Sequence, residues 1–187
     1  MNTFITAYIG IGSNQGDKES LIRSAVAALQ NLNPRVKNLR LSPLYETPPL
    51  VESGFAESQG ENRELDWFLN GVIEMETSLS AEDLLFCLQA IEKDLGRQRP
   101  KASERTSSRE IRPFVSRTMD LDLLFYGSEI IETPALTVPH PRAHQRSFVM
   151  IPMGDLNRNY IHPVLGKTIG QLCRESLQPQ PIRRRDG

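Results

Sequence analysis

The chain reads as strand, helix, strand, strand, helix, strand, followed by further elements, and this order predicts an α+β fold: an antiparallel sheet with helices on one face and a C-terminal extension. Three observations carry that expectation. Two segments repeat apolar residues at helical spacing, several shorter ones are β-branched or alternate in polarity, and Gly or Pro turn signals separate them. Residues 3–11 (TFITAYIGI) read as the first strand, and Gly12-Ser13-Asn14 as the turn that ends it. Gly10, Gly12, Ser13 and Asn14 are accordingly expected to serve turn and helix-cap geometry. Leu21, Ala25, Ala28, Leu29 and Leu32 then form one helical stripe, closed by Asn33-Pro34.

Residues 36–46 (VKNLRLSPLYE) suggest a second strand, with Pro43 tolerable only at an edge or bulge. A long loop, 47–65, precedes residues 66–76, where Phe68, Asn70, Val72 and Glu74 share one face and Trp67, Leu69, Ile73 and Met75 the other. Ser80 and Asp83 resemble a capping box for a helix burying Leu84, Leu88, Ile91 and Leu95, and Gly96 suits its C-terminal cap. A second polar loop, 97–117, leads into a strand at 118–126, completing the βαββαβ order of a ferredoxin-like sandwich. Short helices are expected near 143–151 and in TIGQLCRESL. One domain is expected over 1–175, and 176–187 reads as a disordered tail.

Composition narrows the function. The chain has 187 residues, 39% hydrophobic and 24% charged, with a net charge of −1. That length buries a real core unaided, and no overall field favours nucleic acid or membrane. Cys87 and Cys173 lack metal-ligand spacing and fit thiols of a reducing compartment. With no basic leader and no apolar run of ~20 residues, a cytoplasmic protein is the expectation.

The unusual stretch is RTMDLDLLFYG, residues 117–127, which sets Asp120 and Asp122 among apolar residues. In a strand both carboxylates leave one face, their α-carbons about 6.6 Å apart. Such a pair suits Mg²⁺ bridging protein and phosphate oxygens; the bland alternative is a solvated face. The preceding loop holds Arg97, Arg99, Lys101, Arg105, Arg109, Arg112 and Arg117 against Glu104 and Glu110, seven basic side chains to two acidic and so a local excess of five. Arginine clusters match phosphate oxygens, although basic loops are also commonly nonspecific. Together the two features suggest a Mg²⁺-polyphosphate clamp completed by loop closure.

Neither GxxxxGK[ST] nor GxGxxG occurs, so scattered side chains must hold any nucleotide. His140 and His144 have H-x3-H spacing, but the intervening Pro141 and the lack of a third ligand argue against zinc. Phe68 and Asn70, on one strand face, would suit a flat heterocycle with an amide-like edge, or simply core packing.

Read together, YETPPL (45–50), FLN (68–70), RTMDLDLL (117–124) and LTVPHPRAHQRSFV (136–149) resemble the 6-hydroxymethyl-7,8-dihydropterin pyrophosphokinases, over roughly residues 4–170. The resemblance implies pyrophosphoryl transfer from ATP to the pterin hydroxymethyl oxygen with release of AMP, on a ferredoxin-like fold. It implies two Mg²⁺ ions held by Asp120 and Asp122, with Arg97, Arg117 and Asp122 catalytic. Gln89, Glu92, Arg99, Leu123, Thr137, His140 and Arg146 would line ATP. Thr47, Pro48, Leu50 and Asn70 would border the pterin, with Phe68 and Phe148 stacking on its two faces. It also implies small-molecule pterin and ATP as the partners, a monomer, and other folate-pathway enzymes as possible neighbours. Phe114, Val115, Ser116, Ala135 and Pro141 depart from residues often found at those positions in the family. A Mg²⁺-dependent nuclease would use the same carboxylates and arginines but bind nucleic acid with steep salt dependence. A non-catalytic binding module would have a broken acidic pair, and here the pair is intact.

Overall fold

Asp17 and Ser80 open the two helices that define the first layer. In the computed structural model, which describes residues 3–48, 50–51, 54–55, 67–96, 118–175 and 181–185, Asp17 accepts a hydrogen bond from the Ser20 N–H at 3.0 Å. Ser80 accepts one from the Asp83 N–H at 3.1 Å, the Ser half of the expected capping box. Helix α1 spans Lys18–Gln30 and α2 spans Ala81–Asp94. Helix α2 stops as expected at Gly96, whose φ of +91° only glycine adopts without strain.

Strand β1 (Ile5–Ser13) lies between β6 (Phe68–Thr77) and β7 (Asp120–Tyr126), antiparallel to both. The strand expected over 36–46 is broken in two, β2 (Val36–Leu41) and β3 (Tyr45–Thr47), both paired with β6. Ser42 and Pro43 cause the break. Ser42 still pairs its N–H with the Val72 carbonyl at 2.9 Å, and its hydroxyl takes the Val72 N–H at 3.0 Å. Pro43 has no N–H to continue the ladder. Strands β4 (Leu50–Val51) and β5 (Gly54–Phe55) form a small hairpin, and β8 (Ile131–Glu132) pairs with β9 (Thr137–Val138). After a 3-10 turn at Ala143–Gln145 come α3 (Ser147–Asn157) and α4 (Ile169–Glu175).

Ala7, Ile9 and Ile11 of β1 meet Leu69, Ile73 and Met75 of β6 and Leu121 and Leu123 of β7 under α1 and α2. Ile22, Ala25 and Leu29 supply the α1 side, Leu84, Leu88 and Ile91 the α2 side. The C-terminal extension builds a second core on the opposite face, where Val149, Met150 and Met153 of α3 and Ile169 and Leu172 of α4 cover Tyr8, Val72, Leu124 and Phe125. Strand β6 is therefore buried on both faces over most of its length.

Of the stretch 176–187, expected as a disordered tail, only residues 181–185 are among the described residues. Residues 183–184 form β10 (Arg183–Arg184), which pairs with Glu46 and Tyr45 on the outer edge of β3. The Arg185 N–H donates to the Leu44 carbonyl at 2.9 Å, and its guanidinium bridges Glu19 at 2.7 Å and Glu46 at 2.6 Å. Cationic side chains matched to acidic neighbours let a polar tail close an open sheet edge. Among the described residues no helix is long and apolar enough to cross a membrane.

Candidate active site

Strand alternation places the two aspartates. Leu121 and Leu123 point into the core beneath α2, so Asp120 and Asp122 leave by the other face, both half-exposed. Beyond them a register shift opposite Tyr8 and Ile9 gives β7 one extra residue, Leu124. Asp122, Leu124 and Phe125 thus occupy the second face, and Tyr126 returns to the first core.

Across β1 the partners of Asp120 and Asp122 are Gly12 and Gly10. On the far side of β1 the same glycines face Asn70 and Val72 of β6. A row Asn70–Gly12–Asp120 therefore crosses three strands, its ends about 10 Å apart at the usual strand spacing. The residue between those ends is glycine, which adds no side chain of its own. Gly10 and Gly12, expected in a turn, lie inside β1, and neither has a positive φ. The Gly-Ser pair marked a strand end that comes two residues later; period-2 alternation continued from Tyr8 would have placed both glycines on this face.

Two polar contacts secure the entry to β7. Glu92, only 1% exposed on α2, accepts the Leu121 N–H at 2.8 Å, between the two aspartates. The buried Ser13 hydroxyl donates to the Thr118 carbonyl at 2.6 Å. Glu92, expected along the nucleotide, is thus engaged with the backbone of the acidic strand. Gln89, one turn earlier, is half-buried. Leu123, also expected along the nucleotide, has its side chain 3% exposed in the core beneath α2, on the face away from the aspartates.

The turn after β9 brings further polar groups to β7. The His140 N–H donates to the Leu124 carbonyl at 2.9 Å, and its Nδ1 accepts the Arg142 N–H at 3.2 Å. In the neutral ring the proton is then on Nε2, which is left as a donor. Burial depresses the His140 pKa first, then the charges of Arg146 and Arg142, with Asp120 opposing them. His140, Arg146 and Asp120 thus lie within electrostatic reach of one another. Arg146 stands over the Phe148 ring, 5.5 Å from its centroid. Thr137 is exposed on β9, as is Ala135 just before it.

At the other end of the row, the Asn70 amide is 7% exposed and donates through Nδ2 to the Thr47 hydroxyl at 2.8 Å. Phe68 starts β6 opposite Thr47, half-buried like Pro48. Phe148 is half-buried near the start of α3, which packs across β6 and β3. Thr47, Asn70 and Phe68 are therefore gathered at one end of the row, and Asp120, Asp122 and His140 at the other. Leu50 is described only as backbone in β4. Arg97, Arg99 and Arg117 lie outside the described residues. The residues flanking 97–117 are neighbours: a methyl on Gly96 would lie 3.9 Å from the Thr118 side chain.

Asp120 and Asp122 fit a hard divalent cation. They are half-exposed carboxylates on one face, cross-strand from two glycines. Among the described residues no three or more His, Cys, Asp or Glu side chains gather as a ligand set. Two carboxylates completed by phosphate and water oxygens are the usual setting of Mg²⁺ rather than of an all-protein cage.

A ferredoxin-like α+β domain with an acidic pair and a buried amide on either side of β1 is the class that the fold and the site define. The 7,8-dihydro-6-hydroxymethylpterin-pyrophosphokinase (HPPK) family model matches residues 8–158, and the chain belongs to that family of folate-pathway pyrophosphokinases. The 2-amino-4-hydroxy-6-hydroxymethyldihydropteridine pyrophosphokinase of Bacillus subtilis is 41% identical over 150 residues, 80% of this chain and 77% of its own. The enzyme of the same name from Aquifex aeolicus is 34% identical over 175 residues, 93% and 94% of the two chains. Folic acid synthesis protein fol1 of Pneumocystis carinii is 37% identical over 162 residues, 87% of this chain but 19% of that protein. The fold matches that of the Plasmodium falciparum HPPK-DHPS crystal structure with pteroate at a TM-score of 0.65 and 15% identity, over 94% of this chain and 43% of that one.

Proposed function

We propose that the chain transfers the β,γ-pyrophosphoryl group of ATP to the hydroxymethyl oxygen of 6-hydroxymethyl-7,8-dihydropterin, releasing AMP. The observation that carries this reading is the Asn70–Gly12–Asp120 row, in which an amide and a carboxylate share one face of the sheet. Asn70, held by Thr47, reads the amide-like edge of the pterin, with Phe68 and Phe148 against its faces. The ring's hydroxymethyl arm then extends toward the aspartates.

Asp120 and Asp122 would hold the two Mg²⁺ ions, which when bound would supply charge neutralisation for the phosphates and acidify the attacking hydroxyl. The hydroxyl oxygen forms a bond to the β-phosphorus as the bond from that phosphorus to the α,β-bridging oxygen breaks. AMP leaves with the electron pair, and the hydroxyl proton passes to solvent. Neutral His140 offers its Nε2–H to a phosphate oxygen, and Arg146 adds positive charge beside it. Arg97, Arg99 and Arg117 complete the phosphate contacts. Alignment and charge compensation supply the rate, with no covalent intermediate.

The reading further takes the enzyme as a cytoplasmic monomer. Relatives in which a matching segment is part of a longer folate protein support other enzymes of that pathway as its neighbours. The test is pterin-dependent formation of AMP from ATP in Mg²⁺, with Asp122→Asn as control. The variant should lose at least about a hundredfold in kcat while its circular dichroism is unchanged. AMP formation without pterin, or an Asp122→Asn protein of normal activity, contradicts the reading.

A further inference from the structure

Gly12 is the penultimate residue of β1, an interior strand paired on both sides, where glycine weakens a strand and needs a reason. Backbone conformation is not that reason, since its φ is not positive. Space is. A methyl group at Gly12 would lie 2.7 Å from Oδ1 of Asn70, closer than packed atoms tolerate. The next neighbours are Cγ of Asn70 at 3.8 Å and the Leu69 carbonyl oxygen at 4.0 Å, both ordinary contacts. The collision is therefore with a single atom, the amide oxygen.

Asn70 cannot step aside freely. Its Nδ2 donates to the Thr47 hydroxyl at 2.8 Å, and both residues are buried, 7% and 4% exposed. Turning the amide to escape a methyl would break that bond and leave a buried donor unpaired. Gly10, two residues earlier on the same face, is the natural comparison. The three nearest atoms to a methyl there all belong to the Leu124 side chain, at 3.4–3.7 Å, ordinary contact distances.

We infer that Gly12 is a positioning residue for substrate recognition: its missing side chain is the space that keeps the Asn70 oxygen aimed at the edge of a flat, amide-like heterocycle. This rests on the functional reading above. The prediction for Gly12 is distinct, because the effect must pass through Asn70.

The test compares Gly12→Ala, Gly10→Ala, Asn70→Ala and the double variant carrying both Gly12→Ala and Asn70→Ala, each titrated with 6-hydroxymethylpterin by fluorescence and with MgATP separately. Gly12→Ala should weaken pterin binding roughly tenfold or more, as expected for a misplaced buried hydrogen-bonding group, with MgATP affinity within about twofold of wild type. Gly10→Ala should stay within about twofold for both ligands. In the Asn70→Ala background, Gly12→Ala should cost nothing further, because the oxygen it strikes is gone. The Asn70 side-chain NH₂ resonances in the ¹⁵N spectrum of the free protein should shift in Gly12→Ala and hold still in Gly10→Ala.

Equal effects of Gly10→Ala and Gly12→Ala, or a Gly12→Ala penalty that persists without Asn70, would overturn the inference. Unchanged Asn70 resonances in Gly12→Ala would do the same. A wild-type protein that binds MgATP but no pterin would instead overturn the functional reading, and the Asn70 resonances would still decide whether Gly12 holds the amide in place.

Discussion

Glu92 is a carboxylate with 1% of its surface exposed, and burying such a group is costly unless hydrogen bonds compensate it. Its contact with the Leu121 N–H, at 2.8 Å, fixes the backbone between the two aspartates. Glu92→Ala should destabilise the protein by about 1–3 kcal/mol in urea unfolding, whereas Glu92→Gln, which keeps an acceptor, should cost less and stay folded. Both should weaken Mn²⁺ binding in the presence of ATP; unaltered metal affinity in the alanine variant would contradict the positional role. His162 gives a pH dependence. It is 3% exposed, its Nδ1 accepts the Val164 and Leu165 N–H groups at 3.3 Å, and burial, then His144, lowers its pKa from 6.5. The folded state therefore prefers the neutral ring. Stability from this group is complete above the unfolded pKa of 6.5 and declines as pH falls below it toward the folded value. His162→Asn keeps an acceptor but does not titrate, so wild type should lose more of its urea midpoint than the variant between pH 7.5 and 5. Parallel losses would contradict the assignment.

At the scale of elements, β10 on the β3 edge joins residues 183–184 to 45–46, and β3 also carries Thr47. Deleting residues 181–187 should raise the KM for pterin more than that for ATP, measured by steady-state kinetics. Equal changes, or none, would mean that the edge strand is ornamental to the site. Stretches organised by their own residues were legible: the Leu84–Leu88–Ile91 stripe, the alternation of β6 and the Gly96 stop follow from 3.6- and 2-residue periods. The same alternation placed Met119, Leu121 and Leu123 opposite Asp120 and Asp122. The β10 pairing was not legible, because RRRDG has no periodicity and its acidic partners, Glu19 and Glu46, are remote in sequence. The break at Ser42-Pro43 was hidden because Ser42 keeps its place in the ladder through its hydroxyl. Gly10 and Gly12 were misplaced by a turn signal that outweighed the alternation running through it. The Asp120–Asp122 pair could be read locally, but the buried attachment of Glu92 depends on how α2 crosses β7.

For the whole molecule, the sheet has a core on each face. α1 and α2 cover one, α3 and α4 the other, and Asn70, Asp120 and Asp122 lie on the second face. Leu84→Ala, at a fully buried position of the first core, should cost about 2–5 kcal/mol by chemical denaturation, and a loss below about 1 kcal/mol would contradict its place there. The proposed function's central claim is that one face of the sheet aligns a pterin hydroxyl with the β-phosphorus of ATP. Its most direct test is ³¹P NMR of a reaction containing the protein, 6-hydroxymethyl-7,8-dihydropterin, ATP and Mg²⁺. AMP and a pterin diphosphate with two coupled phosphorus resonances should grow in equal amounts. ADP together with a pterin monophosphate, or nucleotide turnover indifferent to the pterin, would contradict the account.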